Sequence, residues 1–247
     1  GDFRLDLPGY LDNRGGVLLT KGNLALQAER LTSNSQSLLG AGIQADGSKA
    51  SKGDLQANTT QALIAQGQNV AAGTMTLSGS RVDLTGSQTH ASNITITARD
   101  GDVTTREATL ITPGTLSMTA VANPEQTLNN RGGKLHADNI QLNLAKLENS
   151  NGEIAAATDL WLRLQSDFIH QAGARLTAGR DLLFNSRGAL INQYKLEAGR
   201  DMQLTALSIR NTSADRNTNA DNSSLLAGRG LSLSTDSLFN RGAIYTT

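Results

Sequence analysis

Apolar and polar residues alternate along this chain in many short segments. Such period-two alternation places successive side chains on opposite faces of an extended backbone, and it predicts short, half-buried β-strands. No stretch has a clear 3.6-residue period, and Asn, Asp, Gly and Ser cluster between the alternating segments, as turns require. The pattern therefore predicts an all-β protein. Representative segments are residues 75–77, 94–96, 140–144, 160–164 and 231–233.

Two sequence motifs recur at a spacing of roughly 20 residues, which is typical of solenoids. The first reads L-x-N-x-x-G-x-L or, in a related form, L-x-N-R-G-G-x-L. Its copies lie at residues 11–18, 128–135, 147–154, 183–190 and, in shortened form, 238–244. The second motif reads Ala-Gly-Arg followed by Asp or Gly. Its copies lie at residues 178–181, 198–201 and 227–230.

The repeats predict a right-handed parallel β-helix with coils of about 20 residues, in which each strand pairs with its copy ~4.8 Å away. About twelve such coils would form a single repeat domain over residues 1–247. A stack of antiparallel hairpins or a sandwich is the alternative, which the constant spacing disfavours. We expect the recurring Asn to stack at one corner, amide to amide. These corner residues are Asn13, Asn130, Asn149, Asn185 and Asn240.

The repeat is interrupted by two polar insertions, near residues 44–53 and 211–222. Insertions in solenoids collect on one face, often the binding face, and a mobile linker without a role is the alternative. Trp161 alternates with Leu160 and Leu162, so it should face outward if those leucines face inward. An exposed Trp suits a sugar platform or an interface, or it packs under a loop. The predicted partner contacts are Trp161, Arg216, Asn217 and Asn219.

These motifs resemble the repeats of the filamentous haemagglutinin family, which includes CdiA-type effectors of contact-dependent growth inhibition. Residues 38–47 and 82–89 resemble recurrent stretches of the same proteins, so the resemblance covers nearly the whole chain. It implies a β-helical shaft of a secreted exoprotein on the surface of a Gram-negative bacterium, exported by an outer-membrane partner of the Omp85 type. It also implies adhesion, or presentation of a distal receptor-binding or toxin region to target cells. The chain would be an internal fragment, without the secretion domain or the toxin region.

Composition excludes several classes of function. The chain has no Cys, which excludes disulfides and thiol catalysis and agrees with export of an unfolded chain. Its 22 basic and 22 acidic residues cancel, and only 3% of residues are aromatic, so nucleic acid is not an expected partner. No apolar run is long enough to span a membrane. The expected partner is a receptor protein or a glycan on a target cell.

Parallel β-helices also include polysaccharide lyases and hydrolases, which need grouped carboxylates. Asp181 and Asp201 occupy equivalent positions one coil apart, so stacking would place them ~5 Å from each other, as in retaining glycosidases. The simpler interpretation is that both are turn residues whose carboxylates cap backbone N–H groups or pair with Arg180 and Arg200. We therefore expect no catalytic residues and no enzyme activity.

The three histidines give no sign of a metal site. His90, His136 and His170 are expected to share no register, and His170 should occupy a corner position that holds Asn in other coils. No phosphate-binding loop, nucleophile elbow, zinc helix or calcium repeat occurs. The sequence therefore predicts neither a metal nor a cofactor.

Overall fold

The computed structural model describes residues 1–44, 46–214 and 222–247. All regular secondary structure in these ranges is β-strand. The first sixteen strands are β1 (Phe3–Asp6), β2 (Tyr10–Asp12), β3 (Val17–Thr20), β4 (Leu24–Ala28), β5 (Arg30–Ser33), β6 (Leu38–Ala41), β7 (Leu55–Thr59), β8 (Ala62–Ala65), β9 (Gln68–Ala71), β10 (Thr74–Gly79), β11 (Arg81–Asp83), β12 (Gln88–His90), β13 (Asn93–Ala98), β14 (Val103–Thr104), β15 (Thr109–Ala120) and β16 (Thr127–Asn129). The remaining strands are β17 (Lys134–Leu144), β18 (Lys146–Glu148), β19 (Glu153–Ala156), β20 (Leu160–Leu164), β21 (Phe168–His170), β22 (Arg175–Ala178), β23 (Leu182–Ser186), β24 (Leu190–Asn192), β25 (Lys195–Ala198), β26 (Asp201–Thr205), β27 (Ser208–Asn211), β28 (Ser224–Ala227), β29 (Gly230–Ser234), β30 (Ser237–Asn240) and β31 (Ala243–Thr246).

The strands stack in parallel as three ladders, and each coil contributes one strand segment to each ladder. The first ladder contains β1, β4, β7, β10, β13, β15, β17, β20, β23, β26 and β29. The second contains β2, β5, β8, β11, β14, β16 and β18, is interrupted because β18 and β21 do not pair, and resumes with β21, β24, β27 and β30. The third contains β3, β6, β9, β12, β15, β17, β19, β22, β25, β28 and β31. The predicted parallel β-solenoid is confirmed, and the described residues form eleven coils where about twelve were expected.

Two long strands, β15 and β17, each belong to two ladders. In these strands the chain stays extended through the corner between the third and the first ladder. The first half of β15 lies in the third ladder and its second half in the first ladder, and β17 is divided in the same way. The β15–β17 register shifts between Thr112 and Thr115, around Pro113 and Gly114. Elsewhere the same corner is made by two or three residues outside strands, apart from the first insertion between β6 and β7.

The core is a narrow apolar column inside the coils. In β20 the side chains of Leu160, Leu162 and Leu164 are buried, while Trp161 and Arg163 between them face outward. The same alternation occurs in β10, β13 and β23. The period-two pattern of the sequence therefore corresponds to alternating inward and outward side chains.

Coil length varies more than the repeat motifs suggest. Measured between paired residues of the first ladder, ordinary coils run from 19 residues, between Met75 and Ile94, to 24, between Leu116 and Ile140. Two coils are longer because they contain the insertions. They span 31 residues between Leu24 and Leu55 and 29 between Met202 and Leu231. Loop length costs little free energy, so the stacking tolerates these differences.

The first insertion leaves the solenoid after β6 and returns at β7. Its described residues form a small antiparallel bridge between Ile43 and Lys49, and the Gln44 N–H donates to the Ser48 carbonyl oxygen (2.8 Å). The second insertion begins after Asn211, because Asn211 itself is the last residue of β27 and pairs with Asn192 and Asn240. The described part of this insertion comprises residues 212–214 and 222–223.

Candidate functional site

Buried amides stack at the corner where the second ladder ends, from Asn130 onward; we call this stack the corner column. Asn130 accepts a hydrogen bond from the Thr105 hydroxyl (2.7 Å) and donates to Asn149 Oδ1 (2.7 Å). Both asparagines are almost fully buried, so the loss of one partner would leave a desolvated polar atom. Asn13, the first predicted corner residue, is also buried and donates to Ser33 Oγ (3.3 Å).

The corner column continues through coils that the sequence motif did not identify. Asn192 donates to Asn211 Oδ1 and Asn211 donates to Asn240 Oδ1, both at 2.8 Å. The structure therefore places Asn240 in the column, exposed because it lies in the last coil. Asn192 and Asn211 were missed because no Gly follows them three residues later. The available signal was a buried apolar residue two positions before each Asn, namely Leu190 and Ile209.

The prediction of Asn185 as a corner residue is wrong. Asn185 lies in β23 of the first ladder, where it is exposed and pairs with Arg163 and Thr205. Its motif has the letters of the corner repeat, but here Leu182 and Phe184 point into the core, so Leu183 and Asn185 must point outward.

His170 lies in the corner column in place of Asn, paired in register with Asn192. Its Nε2 is 2.9 Å from the carbonyl oxygen of Lys195, which begins β25, the third-ladder strand of the following coil. Asn149 makes the equivalent bond to the Arg175 carbonyl oxygen (3.2 Å), so His170 connects successive coils as the asparagines do. Burial of the imidazole lowers the pKa of His170 to about 4, although the bond to Lys195 acts in the opposite direction.

This buried imidazole predicts a loss of stability in mild acid. Above pH 6.5 the folded and unfolded chains both hold His170 neutral, whereas between pH 6.5 and about 4 only the unfolded chain binds the proton. The free energy of unfolding should therefore fall across this range, by about 3 kcal/mol at most from this residue. We would measure urea unfolding at several pH values for the native chain and for His170→Asn. Equal slopes with pH for the two proteins would contradict the prediction.

The aspartates of the second motif form a ladder of ion pairs with arginines of the following coil. Arg200 Nε donates to Asp181 Oδ1 (2.8 Å), and a second bond joins Arg200 Nη2 to Asp181 Oδ2. Arg229 holds Asp201 in the same two-point geometry, with an Nε–Oδ1 distance of 2.9 Å. Arg180 holds Asp159 in the same way.

These ion pairs oppose the glycosidase interpretation of Asp181 and Asp201. The hydrogen bond from Arg200 lowers the pKa of Asp181, and that from Arg229 lowers the pKa of Asp201. A glycosidase general acid needs a raised pKa to stay protonated near neutral pH. Each carboxylate thus has the environment of a structural ion pair. The main partner of Asp181 is Arg200 and that of Asp201 is Arg229, so each partner lies one coil beyond the adjacent arginine that the sequence suggested.

The expectation that the histidines share no register is wrong for two of them. His90 pairs with Ile111, and Ile111 pairs with His136, so both histidines lie in one outward column of the third ladder, two coils apart. His136 Nε2 lies 3.3 Å from Glu153 Oε2.

Within residues 1–44, 46–214 and 222–247, no group of three or more His, Asp or Glu side chains is placed to hold a metal ion. No helix in the same ranges is suited to crossing a membrane.

Of the predicted partner contacts, Trp161 is the one that the structure describes. Its side chain is 49% exposed on the outward face of β20, between Gln141 and Leu183 of the neighbouring coils. Arg216, Asn217 and Asn219 lie outside the described residues.

Parallel ladders, a leucine-rich interior and polar columns at the corners define a β-solenoid of the repeat class. The haemagglutinin repeat family matches residues 1–79, 169–222 and 212–244, which together exceed half of the chain. The chain therefore belongs to the haemagglutinin repeat family, and the resemblance seen in the sequence is confirmed.

One curated relative is tRNA nuclease CdiA-2 of Burkholderia pseudomallei (strain 1026b). The identity is 39% over 88 residues, which is 35% of this chain and 3% of the relative. The chain thus spans a small part of that protein. No solved structure matches the chain.

Proposed function

We propose that this chain is a shaft segment of a filamentous haemagglutinin- or CdiA-like exoprotein, secreted to the surface of a Gram-negative cell. The segment holds a distal receptor-binding or toxin region away from the cell and toward its target. In this proposal it has no catalytic role, and an outer-membrane partner of the Omp85 type exports the full-length protein. The family match and the CdiA-2 relative support this assignment.

The observation that carries the proposal is the continuity of the first and third ladders through all eleven coils. Each coil is hydrogen-bonded to the next along both ladders, and the apolar column inside them is uninterrupted. Such a stack spans roughly 50 Å at ~4.8 Å per coil. Nearest-neighbour stacking resists bending at every level, which is the property that a spacer requires.

A shaft should tolerate the loss of whole coils. Deleting residues 74–114 from the full-length protein removes two coils and joins Gly73 to Thr115 in register, because Met75, Ile94 and Leu116 are equivalent. We expect surface display and target-cell binding to persist, with the shaft shortened by ~10 Å. The control deletion of residues 74–83 removes fewer residues but breaks the register, and it should abolish display. Normal display with loss of target-cell binding after the in-register deletion would contradict a spacer role.

A second candidate is that the insertions themselves bind a receptor protein or glycan. The first insertion supports it, because Ile43 and Lys49 form a bridge that lies outside the three ladders. A deletion designed to test the second insertion should start at residue 212, since Asn211 belongs to the corner column. Loss of cell binding after deletion of residues 212–222, with unchanged melting temperature, would favour this alternative over the plain shaft.

A further inference from the structure

The outward side of the first ladder carries a largely uncharged polar surface, with one cation, that the shaft role does not use. In five consecutive coils, from β15 to β26, two outward positions per strand form two columns along the solenoid axis. We call these ten side chains the axial face. Its members are Ser117, Thr119, Gln141, Asn143, Trp161, Arg163, Leu183, Asn185, Gln203 and Thr205.

The axial face contains no carboxylate, and its hydrogen-bonding groups are chiefly amides and hydroxyls. The acidic residues nearest to it in sequence, Asp159, Asp181 and Asp201, precede or begin the strands and are paired with arginines. Strands of the first ladder are paired on both sides here, so the face offers side chains and no free backbone edge.

Trp161 lies at the centre of the axial face over a shallow pocket of about 440 Å³. Gln141 and Leu183 are its neighbours in register, and Asn143 and Asn185 line the same pocket. An indole that is half exposed at such a place presents a flat apolar surface to a ligand, with amides beside it to accept and donate hydrogen bonds.

Arg163 follows two residues after Trp161 on the same side of β20, so the cation lies beside the indole. It pairs in register with Asn143 and Asn185, which are uncharged. Among the described residues no carboxylate lies within ion-pair distance of Arg163. Arg180, Arg200 and Arg229 differ in this respect, because each is held by an aspartate.

These features fit a sugar chain with an acidic group better than other partners. A pyranose ring stacks its C–H face on an indole, amides bond its hydroxyls, and a guanidinium binds a carboxylate. The coil rise of ~4.8 Å is close to the length of one sugar unit, so a glycan along the axis meets equivalent positions repeatedly. One cation on the axial face, in a chain of zero net charge, is too little for a nucleic acid.

We propose that the axial face binds an extended acidic glycan that runs along the solenoid axis, with one sugar on Trp161 and a carboxylate on Arg163. This inference goes beyond the shaft role and does not depend on it.

Trp161 is the single tryptophan of the sequence, so its fluorescence reports on this site alone. We would titrate the 247-residue chain with a hyaluronan oligosaccharide and with the same oligosaccharide after reduction of its carboxyl groups. We expect a saturable shift of the emission, with affinity for the reduced sugar weaker by roughly tenfold. Arg163→Gln should lower affinity for the acidic sugar to that of the reduced one and leave the reduced sugar unaffected.

Calorimetry extends the test to a chain without the indole. Trp161→Ala should abolish binding while the circular dichroism spectrum and melting temperature stay unchanged. Phe239→Ala is the matched control, because Phe239 is 46% exposed on the second ladder but its ring is covered by the Arg210 guanidinium at 5.0 Å. Unchanged affinity in Trp161→Ala, equal affinity for both sugars, or no binding of either sugar at millimolar concentration would each overturn the proposal.

Discussion

Replacing Gly199 by Ala is expected to destabilise the solenoid by about 2–4 kcal/mol, although the substitution adds only one methyl group. Gly179, Gly199 and Gly228 stack at the turn that precedes the first ladder, each against the backbone of the previous coil. A Cβ on Gly199 would lie inside van der Waals contact with the Gly179 carbonyl oxygen and carbon. Backbone atoms cannot move aside as a flexible side chain can, so the coils would have to separate.

The measurement is urea or guanidinium unfolding followed by circular dichroism, with Gly9→Ala as the matched control. Gly9 also lies in a turn, but a Cβ there would meet no atom within 4 Å, and its φ is not positive. The control should therefore change the free energy of unfolding by no more than about 0.5 kcal/mol. Equal midpoints for Gly199→Ala and Gly9→Ala would show that the coils are not packed as closely as described.

Replacing Asn130 by Ala is expected to destabilise the solenoid by about 2–4 kcal/mol, whereas Asn185→Ala should stay within about 0.5 kcal/mol of the native chain. Truncation of Asn130 leaves both the Thr105 hydroxyl and Asn149 Oδ1 without their buried partner. Asn185 belongs to the same sequence motif but faces solvent in β23. The pair of variants therefore separates the effect of the motif from the effect of burial.

Chemical unfolding of both variants under identical conditions decides the question. Asn130→Ser is a useful third variant, because a hydroxyl can restore part of the hydrogen bonding and should recover part of the lost stability. Equal destabilisation by Asn130→Ala and Asn185→Ala would contradict the burial assignment. Destabilisation by Asn185→Ala alone would instead favour the corner position that the motif predicted.

The error at Asn185 shows why a repeat motif does not determine the orientation of its own residues. The letters L-x-N-x-x-G occur at residues 147–152 and 183–188, yet Leu147 is buried and Leu183 is exposed. A strand has two faces related by a shift of one residue, and the alternation around Leu183 fits either choice locally. Pairing of β23 with β20 decides it, because Leu182 and Phe184 then continue the buried columns of Leu160 and Leu162.

The histidine columns show the same limit over a longer range. His90 and His136 are 46 residues apart in the sequence, a distance that does not correspond to two coils of about 20 residues. Their shared column arises because the intervening coils contain extra turn residues, including the 121–126 segment between β15 and β16. A turn that is a few residues longer costs little free energy of folding, so turn length varies from coil to coil. The register between coils therefore cannot be read from the repeat spacing alone.

The sequence by itself determined the class of fold, the parallel stacking and the approximate coil length, because period-two alternation and a 20-residue repeat are local properties of the chain. It also determined the outward direction of Trp161, since Leu160 and Leu162 flank it. Only the tertiary structure decided which asparagines share the corner column, which arginine holds each aspartate, and that Arg163 lies free beside Trp161 among amides. Those relations join residues of different coils, and the register between coils is set by the packing of the whole stack.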